Sequence, residues 1–339
     1  MGVKRVILKG RRRSLGLRLL LIGMLIFGLF FTACSSRQKA PAKELPPAAK
    51  EKRRVLYERE MSQVMVYYLT EDGNYLVPVT VPINPTREVA KVAVEKLLAG
   101  PKGEGLQAPI PGEVKLRDIY LLPDEETVFV DFTHKFMEVS DSKKAGLAVK
   151  ALVLTLTEIY PIGAVQILVE GQKIAKLGDT SIDRPLKRPE VINPLGLEDI
   201  KNSKKVKVYF TDAKALRLVP VTVPAPPEAG DDMPRAAVLA LIAGPPKDSH
   251  LGRTFWPGTR LLDFKVANGV AFVDLSAEAI GYGGGSTAET LLVNSLVFTL
   301  TDFPGINKVQ LLLEGKKRQY LPEGTIISEP LTRPERLNF

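Results

Sequence analysis

The sequence predicts an α+β fold written twice in tandem, each copy a small, largely antiparallel sheet with two helices on one face. Three observations carry this. Leu76-Val77-Pro78-Val79-Thr80-Val81-Pro82 recurs letter for letter at Leu218–Pro224, 142 residues on. Further matches flank it in the same order, at offsets that drift by a few residues. Within each copy, β-rich runs alternate with two apolar helical stretches, a pattern that lays helices against one face of a sheet. A period near 143 residues is too long for a solenoid unit and denotes a whole domain.

The elements follow in order. Val64–Leu69 and its counterpart Val206–Phe210 are apolar and β-rich, and Asp72-Gly73 marks a turn after the first. Tyr75–Val81 is the second strand. Pro78 and Pro82, like Pro220 and Pro224, cannot donate ladder hydrogen bonds, so this strand belongs at an edge. Thr86 is a candidate cap for a helix through Val89, Val92, Ala93, Lys96 and Leu97, stopped by Gly100-Pro101. In copy two, Asp232 before Pro234 starts the equivalent helix and Gly244-Pro245 ends it. Lys115–Leu122 and Val128–Phe132 form a hairpin. Its counterpart turns at Ala267-Asn268-Gly269, a strong hairpin signal. A long apolar helix, Ser142–Ile159 or Thr287–Thr301, precedes a last strand, Val165–Val169 or Val309–Leu313, that ends in Glu-Gly. Arg188-Pro189-Glu190 and Arg333-Pro334-Glu335 close the copies.

These boundaries give a first domain at 61–190, a linker at 191–204 containing Pro194, Gly196 and Asn202, and a second domain at 205–339. Each domain exceeds the ~60 residues at which a single core becomes feasible, so each is expected to fold alone.

Residues 1–34 read as a lipoprotein signal peptide. Seven Lys and Arg residues precede an uncharged run of fifteen residues, Leu19–Ala33. A span needs ~20 apolar residues, so the run fits the h-region of an export signal better than a transmembrane helix. Phe31-Thr32-Ala33-Cys34 resembles the bacterial lipobox, with Phe31 where Leu is usual. The resemblance implies that Cys34, the chain's single cysteine, takes a diacylglycerol and becomes the new N-terminus. A short transmembrane anchor is the alternative, and Arg12-Arg13 leaves twin-arginine export open beside the general route. Residues 35–60 read as a tether, with Pro41, Pro46, Pro47 and mixed charge. Lys50–Glu60 alternatively forms a short charged helix.

Charge and cysteine content exclude several classes. Of the net charge of +9, residues 1–34 carry +7 and residues 35–60 carry +4, so residues 61–339 carry −2. A basic domain is the footprint of nucleic-acid binding, and the folded region has none. One cysteine excludes an internal disulfide framework and a cysteine-based zinc site. His134 and His250 leave little for imidazole chemistry.

Leu-Leu-Ala-Gly-Pro at 97–101, the Val-Asp strand ends at Val130-Asp131 and Val273-Asp274, Thr-Leu-Thr at 155–157 and 299–301, and Val-Gln-x-x-x-Glu-Gly at 165–171 and 309–315 together resemble the GerMN domain. Two tandem copies behind a lipoprotein signal resemble the GerMN family of sporulation and spore germination lipoproteins, over about residues 64–335. The resemblance implies a fold like the ring-building motifs of sporulation and secretion complexes. It also implies a place on the cell membrane's extracytoplasmic face, between mother cell and forespore in a spore former, and support of a transenvelope complex. The same domain occurs in lipoproteins outside sporulation.

Candidate chemistry is sparse. Gly281–Thr287 precedes a helix and can cradle a phosphate, but it lacks a P-loop lysine, and Ser286-Thr287-Ala288-Glu289 fits a capping box. Asp131 and Asp274 sit at equivalent strand ends and are expected to bond backbone N–H groups of the turn that follows. Asp124-Glu125-Glu126 reads as a solvated hairpin tip. Trp256, aligned with Ile110, reads as an apolar plug or a partner or sugar contact. The expectation is a non-catalytic, lipid-anchored assembly protein with no catalytic residues, no cofactor and no metal. Its partners are the membrane, through Cys34, and other envelope or sporulation proteins. The alternative is an extracytoplasmic binder of cell-wall glycan (peptidoglycan) or a small ligand.

Overall fold

The computed structural model describes residues 53–122, 126–139, 141–197, 204–281 and 285–339. Copy one begins with β1 (Arg53–Arg54), followed by the hairpin of β2 (Met61–Thr70) and β3 (Leu76–Thr86), paired from Val64↔Val81 to Leu69↔Leu76. Helix α1 (Val89–Ala99) buries Val89, Ala90, Ala93, Val94 and Leu97, one stripe of a 3.6-residue repeat. It stops at Gly100, whose φ of 76° suits a residue without a Cβ. Thr86 does not occupy the cap position. Its hydroxyl accepts the N–H of Glu88, two residues on, and Glu88 is the residue that flanks the helix.

β4 (Leu106–Gln107) pairs with β2. β5 (Leu116–Leu121) and β6 (Thr127–Phe132) form the second hairpin. Helix α2 (Ser142–Thr157), capped by the Asp141 carboxylate on the Lys144 N–H, crosses to β7 (Ala164–Val169), which lies parallel to β6. β8 (Gln172–Lys173) folds back on β7. β9 (Lys176–Leu177) and β10 (Thr180–Ser181) form a small ladder, and β11 (Leu186–Lys187) returns to β7.

Copy two repeats the plan with β12 (Lys205–Thr211), β13 (Leu218–Pro224), α3 (Met233–Ala243), β14 (Leu261–Ala267), β15 (Val270–Leu275), α4 (Gly285–Leu300), β16 (Lys308–Leu313) and β17 (Leu331–Thr332). Asp232 caps α3 through the Arg235 N–H, with Pro234 in the first turn, as the sequence predicts. Asn268 and Gly269 take φ of 52° and 76° in the two-residue loop between β14 and β15.

The class is α+β, with two principal helices per copy. The principal strands of each copy divide between two sheets. In copy one these run β3-β2-β4 and β1-β5-β6-β7-β11. Within the larger sheet the β6–β7 pair is parallel because α2 supplies the crossover.

One core packs Val66, Leu97, Phe132, Leu152 and Ile167, and the other Val208, Leu241, Phe255, Leu296 and Leu311. Val77, though part of copy one, is fully buried in the second core. Lys50–Phe339 is a single compact unit. The folded body starts at Arg53, inside the stretch read as a tether. Val55 is buried and the Tyr57 N–H bonds the Arg87 carbonyl, so residues 53–60 form strand and loop rather than a charged helix. Cys34, the signal peptide and the tether up to Lys52 lie outside the described residues.

Candidate functional site

The residues shared by both copies are used in bonds that hold each copy together. The middle of Thr-Leu-Thr is buried in a core, while the first threonine accepts a strand N–H. Thr155 Oγ1 takes Tyr67 N–H at 3.1 Å, and Thr299 Oγ1 takes Tyr209 N–H at 3.2 Å. The acid that follows receives the tyrosine hydroxyl, Glu158 from Tyr67 at 2.7 Å and Asp302 from Tyr209 at 3.1 Å. Burial, and then the neighbouring carboxylate, push both phenol pKa values up, so the hydroxyls are donors.

The arginine of Arg-Pro-Glu closes the same cluster. Arg188 donates to the Leu154 carbonyl, Thr157 Oγ1, Tyr67 Oη and Glu158, and Arg333 to the Phe298 carbonyl, Thr301 Oγ1 and Asp302. These carbonyls lie in the last turn of α2 or α4, where intrahelical donors run out. The fully buried Gln166 and Gln310 each donate to two backbone carbonyls, those of Ile167 and Ile182 and of Leu311 and Ile327. In the Glu-Gly turns, Glu170 accepts the His134 N–H and Glu314 the Ala277 N–H.

Asp131 and Asp274 also bond backbone, but across the sheet. Asp131 Oδ1 accepts the N–H of Gly171 at 2.8 Å and Asp274 Oδ1 that of Gly315 at 2.9 Å. These glycines follow the neighbouring strand, not the aspartate's own, because β6 and β7 run parallel and end side by side. Asp131 adds Arg117 at 2.7 Å.

The two copies meet along β3 and β13, the proline-bearing edges. The segment leaving each copy binds both. Asn193 Oδ1 accepts the Leu76 N–H, and its Nδ2 donates to the carbonyls of Leu76 and Pro220 at 2.8 and 2.7 Å. Asn338 mirrors this on the Leu218 N–H and the carbonyls of Leu218 and Pro78. Thr222 donates its N–H to the Ile192 carbonyl and accepts the Ile192 N–H on its hydroxyl, and Thr80 does the same with Leu337. Pro78 and Pro220 offer a carbonyl and no N–H, which an amide NH₂ matches. Both asparagines sit at positive φ, 45° and 53°, a conformation asparagine tolerates.

This pseudo-twofold seam was not read in the sequence. The repeat extends to Arg-Pro-Glu-x-Ile/Leu-Asn at 188–193 and 333–338, and the asparagine recurring at one offset was the available signal. The start of the 191–204 segment is thus part of the contact rather than a solvated connection. Lys214 pairs with Glu71 and the Tyr75 hydroxyl with the Ser249 carbonyl. His250 lies 3.9 Å from Asp72, beside a cavity of about 220 Å³.

Trp256 is half-buried and forms the wall between two cavities of about 460 and 170 Å³. A Cβ at Gly281 would fall 2.3 Å from its indole nitrogen, so the ring lies directly on that glycine. The plug at the neighbouring position is Phe255, 2% exposed. Glu289 does not complete a capping box; its carboxylate accepts the N–H groups of Glu323 and Thr325. Residues 282–284 of the glycine run, and Asp124-Glu125, lie outside the described residues. Among the described residues no cluster of His, Cys, Asp and Glu is placed to hold a metal ion, and no helix is long and apolar enough to cross a membrane.

The fold and its seam define a class: paired α+β domains fastened edge to edge by their own exit segments. The family model Germane, described as sporulation and spore germination, matches residues 65–175 and 207–319, and the chain belongs to this family. It is 27% identical over 286 residues to the spore germination protein GerM of Bacillus subtilis (strain 168), spanning 80% of this chain and 77% of that one. The solved tandem GerMN domains of the sporulation protein GerM from Bacillus subtilis match with a TM-score of 0.66 at 26% identity, covering 82% of this chain and 100% of theirs.

Proposed function

We propose that the protein is a non-catalytic assembly component of sporulation and germination, held by lipid on Cys34 at the extracytoplasmic face of the membrane. In this reading it stabilises a transenvelope protein complex between mother cell and forespore. The carrying observation is that the polar residues common to both copies are engaged in tyrosine, backbone and helix-end bonds. Asp131 and Asp274, the one repeated pair of candidate acids, each serve a glycine N–H in separate sheets. A lipid anchor concentrates such a module beside membrane partners.

Crosslinking and affinity capture from sporulating cells, with wild type and Cys34→Ala, tests this. Defined envelope proteins should be captured by wild type and lost when the variant leaves the membrane. Mass spectrometry showing an unprocessed N-terminus at Met1 would overturn the anchor. A folded, membrane-bound Asp131→Asn or Asp274→Asn protein that fails completely in complementation would overturn the non-catalytic reading.

A second reading, a glycan or small-ligand binder, draws on Trp256. An indole between two cavities is the kind of surface on which a sugar ring stacks, with its polar tip free to hydrogen-bond. Pelleting with peptidoglycan that is lost in Trp256→Ala would favour it over the first.

A further inference from the structure

The two large sheets end differently. In copy one, β1 covers the outer strand, with Arg53 opposite Leu121 and Arg54 opposite Tyr120. In copy two, β14 is the terminal strand among the described residues. The cause lies in how the chain arrives. Arg53 and Arg54, ahead of β2, lie along β5. The residues leaving copy one are held on β13 at Ile192, Asn193 and Leu195, so this stretch is tied to the seam and does not cover β14.

An uncovered edge offers backbone N–H and C=O groups to another strand. β14 reads Leu261-Leu262-Asp263-Phe264-Lys265-Val266-Ala267. Leu262 and Val266 are each 45% exposed. Antiparallel pairing of this strand with its own copy, centred on Phe264, sets Leu262 opposite Val266 and Asp263 opposite Lys265, each twice by symmetry. Opposed apolar and opposite-charge pairs are the ones that stabilise neighbouring strands, and a twofold interface must be complementary to itself. The equivalent strand of copy one lacks this property, since centring on Ile119 opposes Asp118 to Tyr120 and Arg117 to Leu121.

A bulge interrupts β14 between Leu261 and Asp263. The same bulge lies between Leu116 and Asp118, and β1 pairs beyond it, at the positions equivalent to Val266 and Lys265, so that stretch of the edge accepts a strand despite the irregularity. The Asp263 carboxylate accepts the Phe264 N–H at 2.9 Å, and Lys265 Nζ lies 5.3 Å from the Phe272 ring centre. On pairing, Asp263 exchanges that N–H for the opposed ammonium and releases it to a carbonyl of the facing strand.

We propose that this edge is a self-association surface, joining two molecules into a twofold dimer through a continuous sheet. The test is sedimentation equilibrium of the compact unit from Lys50 onward, up to millimolar concentration, the regime that tethering to a shared surface imposes. Wild type should show a monomer–dimer equilibrium. Asp263→Lys, which opposes two ammonium groups twice over, should weaken it about tenfold. The charge swap Asp263→Lys with Lys265→Asp should restore it. A wild type that stays monomeric at millimolar concentration overturns the proposal, as does a swap that fails to rescue.

Discussion

At the seam the two copies make the same bonds; away from it they do not. Asn193 and Asn338, Thr80 and Thr222, Ile192 and Leu337 are interchangeable by a twofold rotation. By contrast, among the described residues the outer edge of copy one is covered while that of copy two is bare, and Trp256 stands where copy one has Ile110. The contrast separates what holds the molecule together from what faces outward. The symmetric part is backbone-directed and buried. The asymmetric part lies at the outer sheet edge and around Trp256.

The sharpest way to break the comparison is to remove the seam amides. Asn193→Ala leaves the Leu76 N–H and the carbonyls of Leu76 and Pro220 without their partners, at ~1–3 kcal/mol for each group that stays dry. It also puts alanine at positive φ, which alanine resists. Urea unfolding should show a loss of about 3 kcal/mol or more. Asn338→Ala should act in the same direction but less, because Asn338 is only half-buried while Asn193 is 8% exposed. If Asn193→Ala is silent, the Asn193 amide contributes nothing to the stability of the pair, and the expected independence of the two domains is favoured.

Asp131 and Asp274 sharpen the comparison within otherwise matching sites. The position of Arg117 in copy one is held by Leu262 in copy two, since Asp118 faces Asp131 and Asp263 faces Asp274. Asp131→Asn therefore removes a charge-assisted pair with Arg117 and weakens the Gly171 bond. It should cost ~1–3 kcal/mol, against ~0.5–1.5 kcal/mol for Asp274→Asn. Thermal melts of the two variants check the order. Equal losses would mean that the Arg117 pair, half-exposed on the arginine side, contributes no net stability.

Much of this was legible because it is local. The prolines in β3 and β13 mark edges, Asp232 marks a helix start, and Asn268-Gly269 marks a two-residue turn. Each is a backbone property carried by one or two residues. Asn193 escaped notice because its meaning is not local. Next to Pro194 and Gly196 it looks like a connecting segment, and only the meeting of β3 with β13 gives its amide three partners. Glu289 failed as a capping residue for a related reason: two loop N–H groups near Glu323 outcompete the helix end for its carboxylate. For Asp131 the sequence predicts the right kind of partner and the wrong turn, because the parallel crossover that brings Gly171 alongside depends on where α2 packs.

The smallest expected effect is a pH dependence confined to one side of the seam. Asp72 in copy one stands at the repeat position that Lys214 holds in copy two, and Lys214 pairs with Glu71 beside it. Burial alone would raise the Asp72 pKa. The hydrogen bonds from Thr70, the Asn74 side chain and the Asn74 N–H, with His250 nearby, outweigh it and hold the carboxyl below its ordinary value of 3.8. Tyr75, whose own pKa is raised by burial and then by Asp72 and Asp248, is the other titratable neighbour. A carboxyl whose folded pKa lies below its unfolded value binds fewer protons in the native state. Its contribution is present above the unfolded value and is lost as pH falls through the folded one. Asp72→Asn should therefore lower the melting temperature slightly at about pH 7, and the difference should shrink as the pH falls below 3.8 and through the lowered folded value. Melts of both proteins across that interval read the difference directly. A gap that persists in acid would show that shape at the turn, rather than the charge of Asp72 against Thr70, Asn74 and His250, stabilises this side of the seam.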